Sequence, residues 1–290
     1  MTPFVLSLVF ASAIAHTGWN LMASSQRAGG AGFYRRMLSV TSLVMLIPAG
    51  LGIYFSGLAS PVVMGMAVVS GIFCGFYYLF LGQAYRNLDF SVAYPITRAL
   101  PILILAFGDT FRGRMPSTTA WIGMILASAG VILTPMHRLG DLGQLFARRK
   151  MLGWTLLTAL AIVGYTLVDK IASEAVPAGL GGAVQYGYIL YLTAFVVVSL
   201  TPRLGGGIPD APCRWRTCIT ASVFDFGGYL LVLWAYQLVR QASYVFAFRQ
   251  VSLVMGVAMA FLLGRERLPA VRIAGVAMVT TGIMLVAFGR

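Results

Sequence analysis

The chain has 290 residues, of which 59% are hydrophobic and only 10% charged, whereas a soluble domain carries about 25% charged residues. A water-soluble fold has no interior large enough to hide that much apolar surface, so the composition points to an integral membrane protein. The excess of 21 Lys and Arg over 8 Asp and Glu falls in short polar stretches between apolar runs. There basic residues orient helices and meet anionic headgroups, so the charge does not imply a nucleic-acid partner.

A helix that crosses about 30 Å of hydrocarbon needs roughly 20 apolar residues with all backbone groups bonded inside the segment. That criterion predicts spans over 4–24, 34–56, 62–85, 91–111, 117–136, 152–172, 182–201, 215–238, 243–264 and 270–288. In the first span Ala11-Ser12-Ala13 resembles a signal-peptidase site. Met1-Thr2-Pro3 carries no base, and the apolar run continues to about Ser24, so a retained helix is expected. His16, Trp19 and Asn20 lie at i, i+3 and i+4 and share one face, with His16 roughly 18 Å along the helix. Two readings are open for them: packing glue to a neighbouring helix, or a polar, aromatic wall of a solute cavity whose imidazole changes protonation near neutral pH.

The third span carries Tyr77 and Tyr78 and ends at Tyr85, and the fourth carries Tyr94 and Arg98. Tyr186 belongs to the seventh; the eighth carries Asp225 and Tyr229 and ends near Tyr236; the ninth carries Arg249. Tyr85 and Tyr236, at span ends, are expected as interfacial anchors. Tyr78, Tyr94 and Tyr229 are deeper and are cavity candidates. Arg98 and Arg249 each sit about 12 Å from a span edge, and burying both costs about 5–7 kcal/mol on insertion scales. A guanidinium fork matches a carboxylate or phosphate, which suggests an anionic or zwitterionic solute. Asp225 is expected either to neutralise one arginine or, with His16, to couple an ion. Asp109, Asp169 and Glu266, at or beyond span ends, are expected in loop salt bridges. Cys74, Cys213 and Cys218 form no metal pattern.

The connection at 137–151 divides the chain into halves, 1–140 and 150–290. At an offset of 151, Tyr78 falls on Tyr229, Ala84-Tyr85 on Ala235-Tyr236, Arg98 on Arg249 and Gly113-Arg114 on Gly264-Arg265. One inserted residue later, Gly123 and Gly130 fall on Gly275 and Gly282, small-residue faces suited to close helix contact. Near the start of each half, an offset of 146 places Gly18 and Trp19 on Gly164 and Tyr165. An ordered set of this kind indicates duplication. Joining two units of five spans directly turns the second over in the membrane, so the expected fold is all-α with two inverted five-helix repeats and a midplane solute site. Fourteen Lys and Arg lie in one set of loops and five in the other, which predicts both termini outside the cytoplasm.

The sequence resembles the drug/metabolite transporters of the EamA type over nearly its whole length. The resemblance rests on the duplicated layout, on His16-Thr17-Gly18-Trp19-Asn20, on Ala84-Tyr85 leading to Tyr94-Pro95, on Arg98-Ala99-Leu100-Pro101 and on Gly264-Arg265-Glu266-Arg267-Leu268. It departs at Gly113-Arg114-Met115, where a Gly-Glu-Arg-like run is usual, and family members are usually drawn with cytoplasmic termini. The resemblance implies a secondary carrier of metabolites in the cytoplasmic membrane, with no ATP site and no prosthetic group.

The expected function is therefore transport of a small organic anion or zwitterion, coupled to protons or working by exchange, by a monomer or weak homodimer. One alternative is an exporter of cationic or aromatic compounds. Similar small multidrug carriers use a first-helix glutamate, and with no acid between Phe4 and Ser24 that role would fall on Asp225. Another is a flippase of a phosphate-bearing lipid. An intramembrane enzyme is disfavoured, because no nucleophile elbow, zinc pattern or phosphate loop occurs.

Overall fold

The computed structural model describes residues 1–25, 30–87, 90–136, 138, 140, 149–201, 203–204, 214–262 and 269–289. Their regular elements are α-helices: α1 (Pro3–Ser25), α2 (Gly30–Val44), α3 (Leu46–Ser56), α4 (Pro61–Asn87), α5 (Phe90–Phe111), α6 (Thr118–Leu133), α7 (Arg149–Ala172), α8 (Leu180–Leu200), α9 (Trp215–Leu238), α10 (Ala242–Phe248), α11 (Val251–Leu262) and α12 (Ala270–Phe288). The expected features at Cys213 and at Gly264-Arg265-Glu266-Arg267-Leu268 lie outside the described residues, as does the side chain of Tyr94.

Among the described residues six helices are long and apolar enough to cross a membrane, within α1, α4, α7, α8, α9 and α12. The expected second span is a pair, α2 and α3, bent by 42° and countable as a seventh. The bend has a local cause: Pro48, in the first turn of α3, has no N–H to give to the carbonyl of Val44, where α2 ends. The expected fifth span is short, because the 16 residues of α6 rise only about 24 Å.

The expected ninth span is interrupted after Phe248. There the N–H groups of Gln250, Ser252 and Leu253 bond to the third residue back, at 3.1, 3.0 and 2.9 Å. This is the tighter 3₁₀ pattern, and Arg249 sits within it.

Packing follows the small and polar faces. α4 lies against α7 and α8, α1 runs along α9, α2 and α3 lean on α8, and α6 runs along α12. In the α6–α12 contact the paired glycines meet: a Cβ built on Gly123 would stand 2.7 Å from Gly282 O, and one on Gly130 would stand 2.6 Å from Gly275 O. Large apolar side chains point outward, among them Ile47, Phe55 and Phe111, as lipid contact requires.

Candidate functional site

α1, α4, α7, α8, α9 and the α10–α11 break surround a narrow, partly open cavity whose free space, about 10 Å³, is room for about one water. Its walls are His16, Trp19, Cys74, Tyr77, Tyr78, Tyr165, Tyr191, Asp225, Tyr229 and Arg249. Six of the expected site residues, His16, Trp19, Tyr78, Asp225, Tyr229 and Arg249, therefore meet in one place. The other two whose side chains are described, Arg98 and Asn20, are buried but stand behind His16 rather than on the wall.

His16 is the hub. Trp19 Nε1–H donates to its Nδ1 at 3.0 Å, and Arg249 Nη2 approaches the same nitrogen at 3.2 Å. Asn20 Nδ2 lies 3.0 Å from Nε2, which Arg98 Nη2 also contacts. Asn20 is fixed in turn by its bond to His16 O at 2.8 Å and by Tyr85 Oη, which donates to its Oδ1 at 3.0 Å. A neutral imidazole has one lone pair for two nitrogens, yet N–H donors face both. The region is rich in donors and in positive charge.

Asp225, on α9, brings negative charge to the same cavity. Its carboxylate accepts from the Tyr78 hydroxyl, and among the described residues no ion pair joins it to Arg249. The Arg249 guanidinium instead lies 5.9 Å from the centre of the Tyr229 ring, a cation–π placement. Tyr77, Tyr78, Tyr165, Tyr191 and Tyr229 continue the aromatic lining through edge and tilted contacts with centroids 5.0 to 6.3 Å apart.

The structure changes several expectations. Tyr85 and Tyr236 are not interfacial anchors: both are buried, and Tyr85 belongs to the His16 network. Asp109 and Asp169 form no loop salt bridges among the described residues. Asp109 accepts from the backbone N–H of Ala242 and Ser243 at 3.1 and 2.8 Å and so caps α10. Asp169 accepts three hydroxyls inside the bundle. Lining residues without a site assignment in the sequence reading had a usable signal in two cases. Cys74 falls on Asp225 at the same offset of 151 that pairs Tyr78 with Tyr229, and Tyr165 is the counterpart of Trp19.

At one end of the bundle Glu174 ties three connections together. It accepts from Arg112 at 2.8 Å and from Arg114 at 2.7 Å, and Arg114 also donates to Arg240 O at 3.1 Å. Partial burial works against ionising this carboxyl, but Arg114 and Arg112 outweigh it and hold the group at about 2.

No family model and no curated protein matches the sequence. A solved crystal structure of a protein, one of 26 matching chains, superposes with a TM-score of 0.72 over 98% of this chain and 96% of its own length, at 15% identity. That likeness establishes a shared fold. With the long apolar helices, it defines the class as a multi-pass, all-α membrane protein.

Proposed function

We propose that the chain is a secondary carrier that moves a small zwitterion or organic anion across the cytoplasmic membrane by alternating access, like the EamA-type transporters it resembles. The observation that carries this is the placement of Arg249 and Asp225 on the walls of one buried cavity without an ion pair between them. Two opposite charges left unpaired in a membrane interior are costly unless something else meets them. A zwitterion meets both: its carboxylate lies on the Arg249 fork beside His16, and its ammonium faces Asp225 and the tyrosine rings.

The same reading includes ten spans in two inverted five-helix units. Supporting it, the main helix pairings recur when the halves are exchanged: α4 against α7 becomes α9 against α1, and α6 against α12 maps onto itself. α5 against α6 becomes α11 against α12. Both termini lie outside the cytoplasm in this proposal; a reporter that fluoresces only in the cytoplasm, fused after Arg290, should stay dark, and bright cells would reverse the orientation.

A second reading, export of organic cations, is favoured by the tyrosine wall around Asp225. Purified protein in liposomes, offered labelled amino acids, dicarboxylates and tetraphenylphosphonium, separates the two. Saturable amino-acid or dicarboxylate uptake supports the proposal. Uptake of the cation alone, or none above protein-free liposomes, overturns it.

A further inference from the structure

Asp169 is a buried carboxylate that the solute site does not use. It lies three residues before the end of α7 and is 1% exposed, and a carboxylate is kept in such a place only where donors compensate or a role requires it. Three hydroxyls converge on it: Ser70 from α4, Tyr186 from α8 at 2.7 Å, and Tyr229 from α9. Its neighbour Lys170 turns elsewhere, to Tyr236 O at 2.8 Å and Glu174 at 3.4 Å.

The position of this cluster matters more than its composition. Tyr229 lines the solute cavity with its ring, while its hydroxyl ends on Asp169. Asp169 itself lines a second, small cavity, of about 10 Å³, with Ser173, Tyr186 and Gln237. That cavity borders the α7–α8 connection, where Gln237 exchanges hydrogen bonds with Gly179 at 2.7 and 3.2 Å. The Tyr229–Asp169 hydrogen bond thus links a residue on the wall of one cavity to a residue on the wall of the other.

We propose that Asp169 is the binding site of a coupling proton, exchanged through the second cavity and signalled to the solute by Tyr229. This rests on the carrier reading above. A proton arriving through the second cavity adds to a carboxylate oxygen of Asp169. The new carboxyl O–H donates to the Tyr229 oxygen, and the Tyr229 hydroxyl turns its own hydrogen into the solute cavity. The Asp169 O–H is the only covalent bond made, and its loss reverses the sequence. In the protonated state the solute carboxylate gains a donor beside Arg249, so proton and solute each strengthen binding of the other. The other titratable groups around Asp169 are Cys74 on α4 and Tyr236 on α9, besides the phenols already named. Asp109 on α5 is occupied by the α10 amides.

The test uses liposomes containing the full chain and trapped pyranine, with a pool of labelled amino acids and dicarboxylates as solute and an imposed pH gradient. Wild-type protein should accumulate solute with matching proton movement. Asp169→Asn, at wild-type yield and monodispersity, should lose gradient-driven accumulation and proton movement by about tenfold or more. Ser70→Ala keeps the carboxylate but removes one donor, and should displace the pH midpoint of transport by about half a unit or more. It decides the matter if the Asn variant fails to insert. Gradient-driven accumulation and proton movement retained by Asp169→Asn, or an unmoved midpoint in Ser70→Ala, overturns the proposal. Wild-type uptake indifferent to the gradient overturns it too, with the carrier reading intact, whereas no uptake at all removes both.

Discussion

Arg249 and Arg98 hold the same imidazole from opposite sides: Arg249 Nη2 lies 3.2 Å from Nδ1 of His16, and Arg98 reaches Nε2. Only Arg249 is on the cavity wall. Arg249→Gln should therefore weaken solute binding about 30- to 150-fold, the size of a lost charge-assisted contact of about 2–3 kcal/mol. Arg249→Lys keeps the charge without the fork and should weaken it about tenfold. Arg98→Gln acts through His16 and should cost about tenfold as well. Concentration dependence of liposome uptake measures all three; equal, wild-type affinities would make the arginines structural.

The α6–α12 contact is expected to tolerate no side chain at its crossing points. Gly123→Ala and Gly130→Ala each place a methyl against a carbonyl, at 2.7 and 2.6 Å, and should lower stability by about 1–3 kcal/mol through overpacking. Gly65→Ala in α4 meets nothing within 4 Å and should be neutral or stabilising by up to about 1 kcal/mol. Thermal unfolding in detergent compares the three.

Asp109→Ala removes the acceptor for the first two amides of α10. Loss of such a cap costs about 0.5–2 kcal/mol. Because α10 carries Arg249 at its far end, uptake should fall by more than protein yield does; transport and melting temperature measured on one preparation would show whether the two effects separate.

The Glu174 latch should release in acid. Its carboxyl lies at about 2 in the folded chain against an ordinary 4.5, so its stabilisation is complete above about 4.5 and is lost as pH falls from there through 2. Hydrogen exchange at 112–116 and 173–178 should accelerate across that window, and Glu174→Gln should show the faster exchange at every pH.

Much of the site was legible because polar groups deep in apolar runs are rare and each one must be accounted for. His16, Trp19, Asp225 and Arg249 stood out on that ground and share one cavity. The neighbour each would meet was not legible. Helical spacing puts His16 and Asn20 on one face, but only packing decides that Asn20 and Arg98 stand behind the ring. Asp169 shows the other limit: three residues from a helix end, it read as a cheap charge, yet α4, α8 and α9 close over it. Distance along a helix measures depth in lipid, whereas burial depends on what else stands at that depth. The break in the ninth span was not legible, since the 3₁₀ pattern around Arg249-Gln250 has no proline or glycine to announce it.

That 3₁₀ pattern gives the backbone around Arg249 a torsional freedom that an ordinary helix lacks. A 3₁₀ turn advances about 120° per residue and an α turn about 100°. Exchanging one for the other over the four residues from Gln250 to Leu253 rotates the rest of α11 by roughly 80° relative to α10. The N–H groups of Gln250, Ser252 and Leu253 have carbonyls three residues back in the 3₁₀ form and would meet carbonyls four residues back in the α form. The guanidinium sits at the pivot, and its aim across the cavity can be reset by rewinding the helix that holds it.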